Sequence, residues 1–280
     1  MQHRFETEPC RNGGGFDLSC DKTHAPVAVV TGGTHGIGRA CVEMLGSAGW
    51  QVVFQGRSEQ EGRALEAAGP DREYVSGDIT QDETVHRLIA AATKRGDGTI
   101  AGLVNNAGVG FRKRFLECDA EDWDRLFAVN ARSAYMVTRA ALDGLIAARG
   151  SVVFVSSVAG SGGEEELSIY CATKAALIGL SKALALELGS AVRFNVICPG
   201  QIATRMMARV TGSPALRAAV SQRIPMKRLG EAEEVASTIA FLLSPASAYV
   251  NGSVLAVDGG ETAGIFGSSS SVPTTVQPGE

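Results

Sequence analysis

Short apolar runs alternate along this chain with longer stretches that mix apolar and polar residues at helix-compatible spacing. The runs are rich in β-branched side chains, as in Val27-Ala28-Val29-Val30 and Val52-Val53-Phe54. Continuous runs of that kind mark strands buried on both faces of a parallel sheet, since a half-exposed strand would alternate apolar with polar. The pattern predicts strands near residues 27–31, 51–55, 73–76, 102–105, 151–156, 193–198 and 254–257. Helices are predicted near 37–48, 58–68, 81–94, 119–148, 169–189 and 231–243. Strict alternation predicts an α/β fold: one doubly wound domain with a seven-stranded parallel sheet, right-handed crossovers and helices on both faces. Residues 199–230 break the rhythm. That is long for a strand-to-helix connection, and Gly212-Ser213-Pro214 separates two helix-compatible pieces within it, so a mobile lid over 201–225 is expected. Residues 1–25 and 267–280 read as flexible tails around a domain of residues 26–266, since Asn12-Gly13-Gly14-Gly15 and Gly267-Ser268-Ser269-Ser270-Ser271 lack any periodicity.

The first predicted strand reaches its helix through Thr31-Gly32-Gly33-Thr34-His35-Gly36-Ile37-Gly38. A strand that turns through glycines into a helix presents backbone N–H groups to an anion, with the positive end of the helix dipole behind them. Glycine also lets a pyrophosphate approach the backbone and lets helix and strand pack closely. Strand, turn and helix in this order predict a dinucleotide site on a Rossmann-type sheet.

Composition adds mainly exclusions. A chain of 280 residues with 45% hydrophobic content can bury a full α/β core in one domain. The formal net charge of -4 gives no reason to expect nucleic acid or an anionic membrane as partner. No apolar run is read as approaching the ~20 residues that span a bilayer. The opening Met1-Gln2-His3-Arg4-Phe5-Glu6 lacks the apolar core of a signal peptide, so a cytoplasmic location is expected. Cys10, Cys20, Cys41, Cys118, Cys171 and Cys198 are scattered without close pairs, and His3, His24 and His86 show no ligand spacing, so neither a disulfide framework nor a metal is expected.

Tyr170 and Lys174 stand four apart at the start of a predicted helix, on one helical face. A phenol is a poor proton donor or acceptor at neutral pH, and a neighbouring ammonium is expected to pull its pKa down toward the working range. Spacing alone is equally met by two exposed side chains on a helix surface.

Several motifs in one order resolve that choice. Thr-Gly-x-x-x-Gly-x-Gly stands at 31–38 and Asn105-Asn106-Ala107-Gly108 ends the fourth strand. Asn130 follows, then Ser156-Ser157, Tyr170-x-x-x-Lys174, Pro199-Gly200 and Val257-Asp258-Gly259-Gly260. Over roughly residues 25–264 the chain resembles the short-chain dehydrogenase/reductase family, and most of all its sub-group of 3-oxoacyl-carrier-protein reductases and sugar or secondary-alcohol dehydrogenases. The resemblance implies a nicotinamide-dependent enzyme that interconverts a ketone and a secondary alcohol. It casts Tyr170 as acid/base, Ser157 as hydrogen-bond donor to the substrate oxygen, Lys174 as ribose ligand and Asn130 as holder of a relay water. Around the cofactor it implies Gly32, Thr34, His35, Gly36, Ile37, Gly38, Arg57, Ser58, Asp78 and Ile79. It adds Asn105 (as sheet-stabilising and cofactor-lining), Ala107, Gly108, Pro199, Gly200, Ile202 and Thr204, with Tyr170 and Lys174. Ser156 is assigned no role.

NADP(H) is the expected cofactor, with NAD(H) possible. Gly56 stands where NAD users of the family carry an aspartate, and Arg57-Ser58 suit a 2′-phosphate. The alternatives are an NAD-dependent catabolic alcohol or sugar dehydrogenase and, from another class, a non-catalytic dinucleotide sensor. The partner is a small carbonyl or alcohol compound. The segment 249–260 resembles one that relatives pack into a homotetramer. Arg112-Lys113-Arg114 and Glu164-Glu165-Glu166 both border the presumed entrance with opposite sign, and so leave the substrate's charge unspecified.

Overall fold

A computed structural model describes residues 25–264. The two tails, with Cys10, Cys20, His3 and His24, lie outside the described residues. Seven parallel strands form one sheet: β1 (Val27–Val30), β2 (Gln51–Gly56), β3 (Arg72–Ser76), β4 (Gly102–Asn105), β5 (Ser151–Val155), β6 (Arg193–Pro199) and β7 (Val254–Val257). Their spatial order is β3-β2-β1-β4-β5-β6-β7. The order reverses between β1 and β4, so the loops leaving those two strands diverge and open a crevice above the sheet.

The register shows why the runs are continuously apolar. In β1, Ala28 and Val30 join the core under α1 (Gly36–Ser47) and α10 (Ala232–Leu243). Val27 and Val29 join the opposite core under α3 (Asp82–Arg95), α5 (Ser133–Ala148) and α7 (Ser168–Glu187). Successive side chains point to opposite faces, and both faces are covered.

The predicted helix 119–148 is two helices, α4 (Ala120–Phe127) and α5, joined by a π-helical turn at Ala128–Arg132. An added one-turn helix, α6 (Val158–Ser161), starts directly after β5. Helix α2 (Glu59–Ala67) follows β2 as expected. The region after β6 carries a 3-10 turn at Arg205–Met207, α8 (Ala208–Thr211) and α9 (Pro214–Arg223). Ser213 caps α9 and Pro214 opens it, so the break between the two pieces falls at Gly212-Ser213.

One expectation is corrected. Helix α7 is long and apolar enough, by length and composition, to cross a membrane. Here it lies on the sheet with Ile169, Thr173, Leu177 and Ser181 buried, while Leu186 is 90% exposed. At the far edge, β7 leaves Val254 and Leu255 exposed, with Tyr249 fully exposed just before it.

Candidate active site

A cleft of about 1120 Å³ runs along the C-terminal ends of the central strands. Its floor at the switch point is the glycine turn. Thr31 Oγ1 accepts from the N–H groups of Asn106 and Ala107, both at 3.0 Å, tying the loop after β1 to that after β4. Asn106 Nδ2 donates to the carbonyls of Thr31 and Gly32, and Gln55 Oε1 accepts from Gly32 N at 3.2 Å. A Cβ at Gly38 would drive into the Gly32 carbonyl, so this glycine serves the packing of α1 on the turn and does not itself face the cleft.

The start of α1 is open. His35 stands at its N-cap in extended conformation and makes no side-chain capping bond, and its first turn holds no acidic residue. The first N–H groups of the helix therefore face the cleft beside Gly36 and Ile37, the donor set that suits a pyrophosphate. A Cβ at Gly56 would overlap the Thr34 methyl and come within 2.8 Å of Thr34 Oγ1. An aspartate at position 56 would thus force the Thr34 side chain to shift. Arg57 and Ser58 line the same end of the cleft. Asp78 lines it too, with Oδ1 accepting from both the backbone and the hydroxyl of Thr80 at 2.9 Å, and Ile79 is buried beneath. These residues fit a nicotinamide dinucleotide.

The far end is built of buried side chains. Ser157 caps α6, its Oγ accepting from Ala159 N at 3.1 Å, which leaves its own proton to donate. Tyr170 is buried and lines the cleft together with Ser157. Lys174 lies one turn further along α7, with Nζ donating to the Val155 carbonyl at 2.9 Å and standing 5.8 Å from the Tyr170 ring centre. Ser156, which the sequence left without a role, donates to the Lys174 carbonyl at 2.8 Å and pins α7 to the end of β5. Gly108 is a close neighbour of this end: a Cβ there would meet Lys174 Nζ at 3.2 Å.

The electrostatics run opposite to the expectation. Burial pushes the Tyr170 phenol up, the Ser157 hydroxyl pulls it partly back, and Cys171 and Glu164 add to the rise. Burial also pulls Lys174 down to about 8. Two side chains on one helical face share an apolar wall, and desolvation is the largest cause of both shifts. Tyr170 is thereby held as the protonated phenol, the form that can donate.

Asn130 lies on the π-helical turn, fully buried. Its Oδ1 accepts from Val109 N at 2.8 Å, and its Nδ2 donates to the Val109 carbonyl and to Thr173 Oγ1. The side chain braces the loop after β4, with one Oδ1 lone pair left for a further donor. Asn105 is corrected as a cleft-lining residue: it is buried below, donating to Thr138 Oγ1 at 2.9 Å, and Asn106 to Gly108 face the cleft. Pro199, Gly200, Ile202 and Thr204 line the opposite wall. Ile202 pairs with Gly230, and Thr204 abuts Gly36.

The two charged runs at the entrance meet. Arg112 pairs with Glu164 and donates to the Glu165 carbonyl, while Arg114 and Arg112 both stand 3.8 Å from Glu166. Lys113 turns away to Asp122 at 2.7 Å. Glu164 and Glu166 are thus met by arginines, while the Glu165 side chain stays exposed. Sequence reasoning also missed Arg205, which lines the cleft and donates to His35 across it at 2.7 Å. Nothing in the sequence marks it beyond its place next to Thr204.

The family profile described as enoyl-(acyl carrier protein) reductase matches residues 32–262. Among curated proteins the chain is 39% identical to L-xylulose reductase of Bos taurus over 236 residues, covering 83% of this chain and 95% of the relative. It is 37% identical to 3-oxoacyl-acyl-carrier-protein reductase FabG of Aquifex aeolicus over 246 residues, 85% of this chain and 98% of the relative. Among solved structures, a short-chain dehydrogenase/reductase of the glucose/ribitol dehydrogenase type from Brucella melitensis superposes with a TM-score of 0.81 at 31% identity, over 85% of this chain and 97% of that one. Sheet order, cleft and relatives agree: the chain belongs to the short-chain dehydrogenase/reductase family, NAD(P)-dependent oxidoreductases acting on CH–OH and C=O groups.

Proposed function

We propose that this enzyme interconverts a ketone and a secondary alcohol with NADP(H) as preferred cofactor and Tyr170 as acid/base. The observation that carries the reading is the convergence of Ser157, Tyr170 and Lys174 at the end of a cleft whose other end is an uncapped helix. The open first turn of α1 would hold the pyrophosphate, Lys174 and Tyr170 the nicotinamide ribose, and Ile202 and Thr204 the carboxamide side. When bound, the nicotinamide supplies or takes the hydride. Ser157 and Tyr170 donate hydrogen bonds to the substrate oxygen as charge develops on it, and Tyr170 then gives its proton to that oxygen. Lys174 holds positive charge beneath the phenol as the proton leaves. A relay through Asn130 would use the remaining lone pair of Oδ1.

Gly56 supports NADP(H) over NAD(H), since the aspartate that binds a ribose 2′-OH would collide with Thr34. A pure sensor of the same fold has no use for a buried proton donor. Exposed Tyr249, Val254 and Leu255 at the β7 edge support a homotetramer, and four unpaired cysteines among the described residues suit the cytoplasm. Initial rates on a panel of ketones and alcohols with NADPH, NADH and their oxidised forms test the reading. Turnover with NADP(H) about ten-fold or more above NAD(H) is expected; no turnover with either would overturn it.

A further inference from the structure

Helix α2 opens with Ser58-Glu59-Gln60-Glu61, the spacing of a reciprocal capping box. The box is not made, because Ser58 forms no side-chain bond to the helix backbone. Its hydroxyl donates instead to the Glu61 carboxylate. Helix α10 shows the ordinary outcome, where Glu231 and Glu234 each accept the other's backbone N–H. The freed Glu61 carboxylate is drawn to the lip of the cleft, with Oε1 3.8 Å from His35 Nε2. A guanidinium can only donate, so His35 Nε2 accepts from Arg205 at 2.7 Å, and the ring proton sits on Nδ1, 3.0 Å from Thr34 Oγ1. The Glu61 carboxyl is held below its usual range by Ser58 first, then by its own backbone N–H, with Arg205 adding a smaller pull. Ser58, His35 and Arg205 all line the cleft, next to Arg57.

We propose that Glu61 is an internal stand-in for the cofactor's 2′-phosphate: it occupies Ser58 and faces His35 and Arg205, must yield them to the incoming phosphate, and thereby sets how sharply the enzyme separates NADP(H) from NAD(H). The inference rests on the reading that this end of the cleft takes the adenosine ribose. Two anions then compete for one serine hydroxyl, within the field of the same guanidinium, Arg205. A phosphate arriving beside the carboxylate also meets like-charge repulsion, which a ribose hydroxyl does not. Glu61 therefore acts against the very ligand that Arg57 favours. Arg205 extends the effect, since it follows Thr204 and links this end to the wall beside the nicotinamide.

The test is equilibrium binding of two cofactor fragments to the full chain, by calorimetry at low salt. Adenosine 2′,5′-bisphosphate carries the 2′-phosphate, and adenosine 5′-diphosphate lacks it. Glu61→Gln, which keeps the shape and removes the charge, should tighten the bisphosphate about two- to five-fold, as expected for an exposed charge pair, and leave the diphosphate unchanged. Raising the salt should shrink that gain. An unchanged or weakened bisphosphate affinity, or equal tightening of both fragments, overturns the proposal. Arg57→Ala separates the two ideas: if it weakens only the bisphosphate while Glu61→Gln is neutral, NADP(H) recognition stands and the Glu61 role falls. If neither fragment binds any form, both fall.

Discussion

The two ends of the cleft are built on opposite principles. At the nucleotide end the charged groups are exposed: Arg57 and Arg205 stand in solvent, and His35 and Glu61 are 31% and 38% exposed. Their neighbours are backbone N–H groups of an uncapped helix start. At the reaction end Asn130, Ser156, Tyr170 and Lys174 are all buried, and Asn130, Ser156 and Lys174 are each fixed by a hydrogen bond to another element. Exposed charges are screened and cheap to move, so they suit recognition of a ligand that comes and goes. Buried ones carry shifted pKa values and fixed geometry, which proton transfer needs. The contrast makes mutational effects at the reaction end large and insensitive to salt, and those at the nucleotide end modest and sensitive to it.

The largest effect is expected at Tyr170. Tyr170→Phe keeps the ring in its wall and removes only the hydroxyl, so the fold and cofactor binding should persist while kcat falls ~10²- to 10⁴-fold. Near wild-type turnover in steady-state assays would remove the tyrosine from the chemistry and, with it, the functional contrast between the two ends.

Lys174 comes next, and its effect reads on stability. Burial pulls its pKa from 10.5 to about 8, so between those values the unfolded chain binds more protons than the folded one. Stability from this group therefore rises with pH across that window, and below about 8 the folded state bears the full cost of the buried charge, on the order of 3 kcal/mol. Lys174→Met should lose turnover and cofactor affinity, yet gain stability over wild type at neutral pH. That advantage should fade as pH rises from about 8 toward 10.5. Thermal unfolding of both proteins across this range checks it; a difference that does not change with pH would mean that the buried lysine keeps its ordinary pKa and is as fully charged in the folded chain as in the unfolded one.

The sheet was legible because its central strands are apolar on both faces, and the start of α1 because glycines punctuate it. Tyr170 and Lys174 were legible as a spacing. Their pKa directions were not, since spacing reports which face two residues share and nothing about how dry that face is. The π-helical turn at Ala128–Arg132 was equally hidden: one extra residue in a turn leaves no mark on an apolar pattern. Ser58-x-x-Glu61 shows the limit most clearly. The sequence pattern is that of a cap, and only the rotation of one hydroxyl toward the cleft turns it to another use. The pairing of Arg112 with Glu164 joins residues far apart in the chain and belongs to the same hidden class.

At the nucleotide end the expected losses are smaller. Arg57→Ala should remove most of the preference for NADP(H), a change in relative kcat/KM of about ten-fold, at the low end for a charged hydrogen bond because the side chain is exposed. Rates with NAD(H) should hardly move. An unchanged ratio would show that Arg57 points to solvent in the working enzyme.

The smallest effect sharpens the comparison most. Raising ionic strength from about 0.05 to 0.5 M shortens the Debye length from roughly 14 to 4 Å. Exposed Arg57 and Arg205 then lose much of their pull on a 2′-phosphate, while Tyr170, Ser157 and Lys174 interact inside a wall that salt does not enter. KM for NADPH should rise a few-fold more than KM for NADH, and kcat at saturating cofactor should stay nearly constant. If kcat fell in step with the NADPH affinity, solvent would have to reach the buried end, and the division of the cleft into a screened half and a dry half would fail.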